Sequence, residues 1–138
     1  MVNVLSDKTV VLDLRSPMLF SPYFFLHLVH HCLMPLGLED GRIQDGAMSA
    51  SSKYNNNYEA KLGRLNLEAK GGNAGAWCVK TADAYQWLQI DLGRGTTVTK
   101  VATQGRQDYD QWVTSYAISY NPVKSNWVYV MTHGKKKV

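Results

Sequence analysis

Two polar stretches of the chain combine aromatic side chains with groups that form hydrogen bonds. The first stretch consists of Tyr54, Asn55, Asn56, Asn57 and Tyr58. Exposed tyrosines can stack on a sugar ring or a peptide, or enter the interface of a bilayer. Asparagine amides both donate and accept hydrogen bonds, which suits ligands rich in hydroxyl groups. The stretch therefore indicates a binding loop, with an ordinary polar turn whose tyrosines pack back on the fold as the alternative.

The second stretch, residues 106–112, mixes charged groups with aromatic rings. Its candidate binding residues are Arg106, Asp108, Tyr109, Asp110 and Trp112. Its two aspartates could hold a calcium ion through their oxygen atoms, but two carboxylates in one loop are too few to predict such a site. Asp83 and Tyr85 precede the most regular strand of the chain, and they suit polar contacts with a ligand as well as a turn.

The residues of catalytic chemistry are scattered or absent. The histidines are His27, His30, His31 and His133. His30 and His31 are adjacent, and adjacent side chains of a strand point apart, so they do not converge on a metal ion. The sequence contains neither the Gly-x-Ser-x-Gly elbow of hydrolases nor the Gly-x-x-x-x-Gly-Lys-Ser/Thr loop that holds phosphates. We therefore expect no catalytic activity and no cofactor.

Composition and charge indicate the number of domains and limit the possible partners. The 138 residues, 45% of them hydrophobic, can bury the core of one domain. The net charge is +4, and Lys135, Lys136 and Lys137 supply most of it. Because no basic stripe spreads over the chain, a nucleic-acid partner is not expected. The lysine run is typical of a solvated tail, with weak attraction to anionic membranes as the alternative.

The two cysteines, Cys32 and Cys78, lack the close spacing of zinc ligands. They could form one disulfide with each other, or each could remain a reduced thiol. The sequence leaves both alternatives open, because the choice depends on the distance between their Cα atoms.

Short alternating segments predict the strands that must position these loops. In residues 86–93 (Gln-Trp-Leu-Gln-Ile-Asp-Leu-Gly), the side chains of Leu88, Ile90 and Leu92 fall on one face. Further strands are predicted within residues 47–52, 97–103, 114–120 and 127–131, and one helical turn within residues 60–67. The pattern is typical of an all-β sandwich or barrel. We assign Trp77, Trp87 and Trp127 to its core or wall.

Residues 1–31 form an N-terminal extension of different character. The apolar run at residues 18–29 is too short to cross a membrane. It is similar to the hydrophobic part of a signal peptide, but Asp7 and Asp13 interrupt the basic region before it and no cleavage site follows. The alternatives are a poorly defined N-terminus and an extra strand over residues 9–14.

Several motifs stand in the order that one family shows. They are Cys32 with Pro-Leu-Gly-Leu-Glu-Asp-Gly-Arg-Ile at 35–43, residues 43–52, Arg64-Leu65-Asn66, Gly75-Ala76-Trp77, the octapeptide at 86–93, residues 98–105, and residues 112–116. The ordered set resembles the discoidin domain, also called the coagulation-factor five/eight type C domain. The resemblance covers residues 32–131 and leaves residues 132–138 as a basic tail.

The resemblance implies a distorted jelly-roll barrel of antiparallel strands whose loops at one end, the spikes, bind ligands. It also implies a non-catalytic module of a secreted or cell-surface protein that binds glycans, proteins or phosphatidylserine membranes. Residues 54–58 and 106–112 match the first and third spikes. Their tips carry Asn55, Asn56, Asp108 and Asp110, which are costly to bury in lipid. We therefore expect a glycan or an extracellular protein as the ligand, ahead of an anionic membrane.

The sequence departs from the family pattern after residue 131. The resemblance implies further closing strands and a cysteine that pairs with Cys32, and residues 132–138 supply neither. We therefore expect a barrel that is incomplete at its C-terminus, with exposed sheet edges. Such a domain is marginally stable unless residues 1–31 supply a replacement strand. A truncated fragment without independent activity is the remaining alternative.

Overall fold

The computed structural model describes residues 2–5, 13–15, 34–98, 100–121, 126–132 and 135–136. Strands in these ranges are β1 (Val2–Leu5), β2 (Asp13–Arg15), β3 (Met48–Ala50), β4 (Gln86–Ile90), β5 (Lys100–Ala102), β6 (Ser115–Tyr120), β7 (Val128–Tyr129), β8 (Met131–Thr132) and β9 (Lys135–Lys136). Short 3-10 turns occupy Asp45–Ala47, Asn56–Tyr58 and Ala60–Leu62.

All described strand pairs are antiparallel. The largest sheet has five strands in the order β3-β4-β1-β6-β7, and two-stranded sheets join β2 to β5 and β8 to β9. The described ranges contain no α-helix, so the predicted all-β class is confirmed. Within them the sheets stay open and form no closed barrel. None of the described segments is a helix long and apolar enough to span a membrane.

The hydrophobic core lies behind β4. Leu38, Trp77 and Leu88 are fully buried there, with Met48 and Val79 beside them. Partly buried residues that pack around them include Leu36, Ile43, Ile90, Leu92, Val101, Val113 and Tyr116. The predicted apolar face of the octapeptide is therefore confirmed, as is the core position of Trp77. Trp127 lies outside this core, since 38% of that residue is exposed, and its assignment to the wall stays a prediction.

The strands are shorter than the patterns that predicted them. Strand β4 ends at Ile90 because the chain turns there: the Asp91 carboxylate accepts a hydrogen bond of 2.8 Å from the Gly93 amide, and Gly93 has φ of 71°. A residue with a side chain resists that backbone conformation. The predicted strand at 127–131 is divided into β7 and β8.

Part of the N-terminal extension belongs to the sheets. Strand β1 pairs with β4 on one side, with Asn3 opposite Trp87, and with β6 on the other, with Asn3 opposite Ala117. Strand β2 pairs with β5. The strand proposed at residues 9–14 overlaps β2 only at Asp13 and Leu14.

Several features predicted from the sequence lie outside the described residues. They are the apolar run at 18–29, the four histidines, Cys32 and Lys137. Cys78 is half-buried. Because Cys32 lies outside the described residues, the structure does not test the choice between a disulfide joining the two cysteines and two reduced thiols.

Candidate binding cleft between two loops

The first loop, residues 54–58, is held by hydrogen bonds at both ends. The Asn55 side chain accepts a bond of 2.9 Å from the Asn57 amide and so caps the short turn that follows. The Tyr54 amide donates to the carbonyl of Cys78 (2.9 Å), and the Ala74 amide donates to the carbonyl of Asn57 (3.0 Å). The loop is thus fixed to its neighbours, and Asn55 has a structural role in it.

The second loop, residues 106–112, is closed by its own backbone. The Arg106 amide donates to the Gln111 carbonyl (2.8 Å), and the Gln111 amide donates to the Tyr109 carbonyl (2.7 Å). Gly105 allows this tight return, because a Cβ atom there would lie 3.0 Å from the Gln111 carbonyl oxygen. The backbone therefore brings the side chains of Arg106 and Tyr109 to one side of the loop.

Arg106 joins the two loops. Its guanidinium donates two hydrogen bonds to the carboxylate of Asp108 (2.6 and 3.1 Å), and Nη1 reaches the Tyr58 hydroxyl (3.4 Å) and the Gln111 side-chain oxygen (3.2 Å). The guanidinium carbon lies 4.6 Å from the centre of the Tyr109 ring and 5.4 Å from that of Tyr58. Cations over aromatic faces are stabilised by the charge distribution of the ring. The planar guanidinium thus engages both loops at once.

The tyrosines extend this arrangement outwards. The rings of Tyr54 and Tyr58 meet edge to face, with 5.6 Å between their centres and an angle of 88° between their planes. Tyr54 and Tyr109 are each 64% exposed. Each ring therefore has one part packed against the protein and a large part in contact with solvent.

An open cleft of about 560 Å³ lies between the two loops. Its lining residues are Tyr54, Tyr58, Cys78, Val79, Lys80, Arg106, Tyr109 and Gln111. The volume is within the range of clefts that hold small ligands. Aromatic rings, an amide and cationic groups thus face a single space.

Charge in the cleft is partly balanced. The hydrogen bonds from Arg106 hold the pKa of the Asp108 carboxyl below its usual value, and the same bonds raise the pKa of Arg106. Both groups are therefore charged at neutral pH and largely compensate each other. Lys80 adds a positive charge to the lining, so the cleft favours a ligand that accepts hydrogen bonds.

A buried polar network supports the wall behind the cleft. Gln86 lies at the start of β4, and its side-chain oxygen accepts hydrogen bonds from the hydroxyls of Ser51 (2.7 Å) and Ser52 (2.6 Å). The side-chain amide of Gln86 donates a hydrogen bond to the Asp83 carboxylate (2.9 Å). The Ser52 carbonyl accepts a bond from the indole of the buried Trp77 (2.8 Å). These bonds connect the start of β4 to the buried Trp77, and residues 78–80, which line the cleft, directly follow Trp77.

The structure separates the candidate residues into groups. Tyr54, Tyr58, Arg106 and Tyr109 line the cleft, and Asp108 contacts it through Arg106. Candidates that do not line it are Asn55, Asn56, Asn57, Asp83, Tyr85, Asp110 and Trp112. Asp83 instead closes a turn by accepting a bond from the Tyr85 amide (2.8 Å), and Tyr85 is 84% exposed.

Four lining residues were absent from the sequence-based candidates: Cys78, Val79, Lys80 and Gln111. The only local signal for the first three was their position after Trp77, whose burial fixes the chain that follows. Gln111 lay within the second stretch, but only the charged and aromatic residues around it were predicted to bind a ligand. No group of three or more metal-ligating side chains occurs among the residues that the structure describes.

Comparison with known families agrees with this geometry. A family model for the F5/8 type C domain matches residues 47–138, a range that contains both loops and the cleft. The chain belongs to the F5/8 type C domain family. This is a family of binding and adhesion modules.

Three relatives carry F5/8 type C domains similar to this chain. Lactadherin from Mus musculus is 36% identical over 118 residues, which are 80% of this chain and 25% of lactadherin. Coagulation factor V from Mus musculus is 40% identical over 105 residues, 72% of this chain and 5% of factor V. Retinoschisin from Mus musculus is 36% identical over 101 residues, 69% of this chain and 44% of retinoschisin. The chain spans less than half the length of each, and no solved structure matches it.

Proposed function

We propose that this F5/8 type C domain is a non-catalytic extracellular module that binds a glycan or a protein ligand in the cleft between residues 54–58 and 106–112. The observation that carries the proposal is the position of Arg106, which holds Tyr58 and Tyr109 around one open space. Membership in a family of binding modules supports it.

The composition of the cleft favours a polar ligand with a flat apolar face. The exposed rings of Tyr54 and Tyr109 provide surfaces on which a sugar ring or a peptide side chain can stack. Lys80 and the Gln111 amide provide partners for the hydroxyl or carbonyl groups at the edge of such a ligand. Glycans and extended peptides both combine these properties.

An anionic membrane is the second candidate, and the exposed aromatic residues favour it. Trp112 is 49% exposed, and tryptophan is enriched where proteins meet the interface of a bilayer. The neighbouring Asp108 and Asp110 are also exposed, and they oppose it because carboxylates repel anionic lipids. We therefore place membrane binding second, and sedimentation with vesicles of rising phosphatidylserine content separates the two candidates.

The proposal includes no calcium ion. The Asp108 carboxylate already accepts two hydrogen bonds from Arg106. A calcium ion that bound this carboxylate would therefore have to displace the Arg106 guanidinium. Ligand binding should be the same in calcium and in a calcium chelator. A loss of binding in the chelator would contradict this part of the proposal.

The proposal is tested with an array of glycans and extracellular matrix proteins, followed by titration of each hit. Tyr54→Ala and Tyr109→Ala should each weaken binding by about fivefold, because each removes a stacking surface worth about 1 kcal/mol. Tyr85→Ala is the matched control, since Tyr85 is 84% exposed and lies outside the cleft. Equal losses in all three variants, or no glycan or protein hit, would overturn the proposal.

A further inference from the structure

The central strand of the largest sheet comes from outside the range that the family model matches. That range begins at residue 47, whereas β1 is Val2–Leu5. Strand β1 lies between β4 and β6, and both of these belong to the matched range. The part of the sheet that the family model matches is therefore in two halves, β3-β4 and β6-β7, which β1 joins.

Strand β1 satisfies two sheet edges at once. Its residues stand in register with β4 at three positions and with β6 at four. Without β1, the facing edges of β4 and β6 would each present a row of unpaired backbone amides and carbonyls. Such edges readily accept another extended chain, and a gap between two edges can pair with both sides of that chain.

We propose that β4 and β6 form a strand-accepting site, which Val2–Leu5 fills in the unliganded protein and which also accepts a separate extended peptide of the same pattern. The backbone pairing supplies most of the affinity, as in other cases where a peptide adds to a sheet. This site lies in the sheet and is independent of the ligand proposed for the loops.

The register defines what the site accepts. Val2 stands opposite Leu88 and Ile118, and Val4 stands opposite Gln86 and Tyr116. Alternate residues of a strand fall on one face of the sheet. Leu88 is a core residue, so an occupant needs apolar residues two positions apart, at the places of Val2 and Val4. The proposed partner is thus a peptide of four or more residues with β-branched side chains at alternate positions.

The test uses the full chain and a fluorescent peptide, Met-Val-Asn-Val-Leu-Ser, with the sequence of residues 1–6. Asn3→Pro removes a backbone donor from the middle of β1 and should empty the site. Asn3→Thr is the matched control, because it keeps the backbone donor and introduces a side chain that favours strands. The Asn3→Pro protein should bind the peptide at least tenfold more tightly than the Asn3→Thr protein. Equal binding, or no binding, by the two folded proteins would overturn the proposal.

A second measurement applies if Asn3→Pro does not fold. The peptide is made with Asn3→Cys and mixed, under mild oxidation, with full chains that carry Ala117→Cys or Ile118→Cys. Ala117 is the register partner of Asn3, and directly opposed residues of antiparallel strands lie within disulfide range. Peptide mapping should find the mixed disulfide at position 117 at least tenfold more often than at position 118. Equal yields, or none, would overturn the proposal.

Discussion

The guanidinium carbon of Arg106 lies 4.6 Å from the centre of the Tyr109 ring, while the guanidinium donates two hydrogen bonds to Asp108. The Arg106 side chain therefore contacts Tyr109 with its flat face and Asp108 with its edge. Only 10% of the Arg106 side chain is exposed, so its position is fixed by protein contacts. The shape of the proposed cleft depends on this residue more than on any of its exposed tyrosines.

Arg106→Lys should destabilise the protein by about 1–2 kcal/mol, because an ammonium group cannot make the paired hydrogen bonds or stack on the ring. The midpoint of urea unfolding measures this change. Arg94→Lys is the matched control, since Arg94 is exposed on the turn after β4. Equal midpoints for Arg106→Lys and the unaltered protein would show that the contacts around Arg106 add nothing to stability.

Asp108 should make stability sensitive to acid. Its pKa is lower in the folded protein than the ordinary value of 3.8, because Arg106 donates hydrogen bonds to the carboxylate. A carboxyl of this kind contributes stability that is complete above the unfolded pKa and is lost as the pH falls through the folded pKa. The Asp108→Asn protein should therefore lose less stability than the unaltered protein when the pH is lowered from about 6 to about 2.

Unfolding by urea across this pH series is the measurement. The Asp108→Asn protein should keep part of its acid sensitivity. The pKa of Asp40 is also lowered, first by a hydrogen bond from the Arg42 backbone, and that of Glu59 by a hydrogen bond from Lys53. Parallel curves for the two proteins would show that Asp108 is not linked to folding.

Gln86→Leu should destabilise the protein by about 1–3 kcal/mol, because the substitution leaves the hydroxyls of Ser51 and Ser52 and the Asp83 carboxylate without their shared partner. Thermal or urea unfolding measures the change. Gln89→Leu, on the opposite face of the same strand, provides the control and should have less than half of the effect. If Gln86→Leu proved neutral, the network would be dispensable.

Gly75→Ala should destabilise the protein more than Gly71→Ala. Both glycines have positive φ, 58° and 61°, which costs about 1–3 kcal/mol for a residue with a side chain. A Cβ atom at Gly75 would also lie 2.6 Å from the carbonyl oxygen of Leu67, whereas one at Gly71 would meet nothing within 4 Å. The difference in unfolding free energy between the two variants measures the cost of the contact between the new Cβ atom at position 75 and the Leu67 carbonyl oxygen. Equal values would show that this contact costs nothing.

The sequence was informative where a local pattern alone decides the structure. The alternation around Leu88 predicted the apolar face of β4, because a strand must bury one side. The sequence did not decide between core and wall for Trp127, because its burial depends on which segments cover it, and no local pattern contains that information. The division of residues 127–131 into β7 and β8 follows from their different partners, since β7 pairs with β6 before it and β8 pairs with β9 after it.

The cleft likewise combines residues that a local pattern predicts with contacts that depend on the whole fold. Tyr58 and Arg106 could be named as candidates from their own loops, but their direct contact joins positions far apart in the sequence. Lys80 carries no motif, and it reaches the cleft because the buried Trp77 and the Tyr54–Cys78 backbone bond fix the chain beside it. Contacts of this kind become visible only when the whole fold is known.

The position of β1 has a consequence for how the protein is made. On the ribosome, residues 2–5 are synthesised before both of their partners, and one of these, β6, follows more than a hundred residues later. Contacts between such distant segments form slowly. The nascent chain must therefore carry these residues unpaired until β4 and β6 have been made, and during that interval a chaperone that binds short extended segments can protect them.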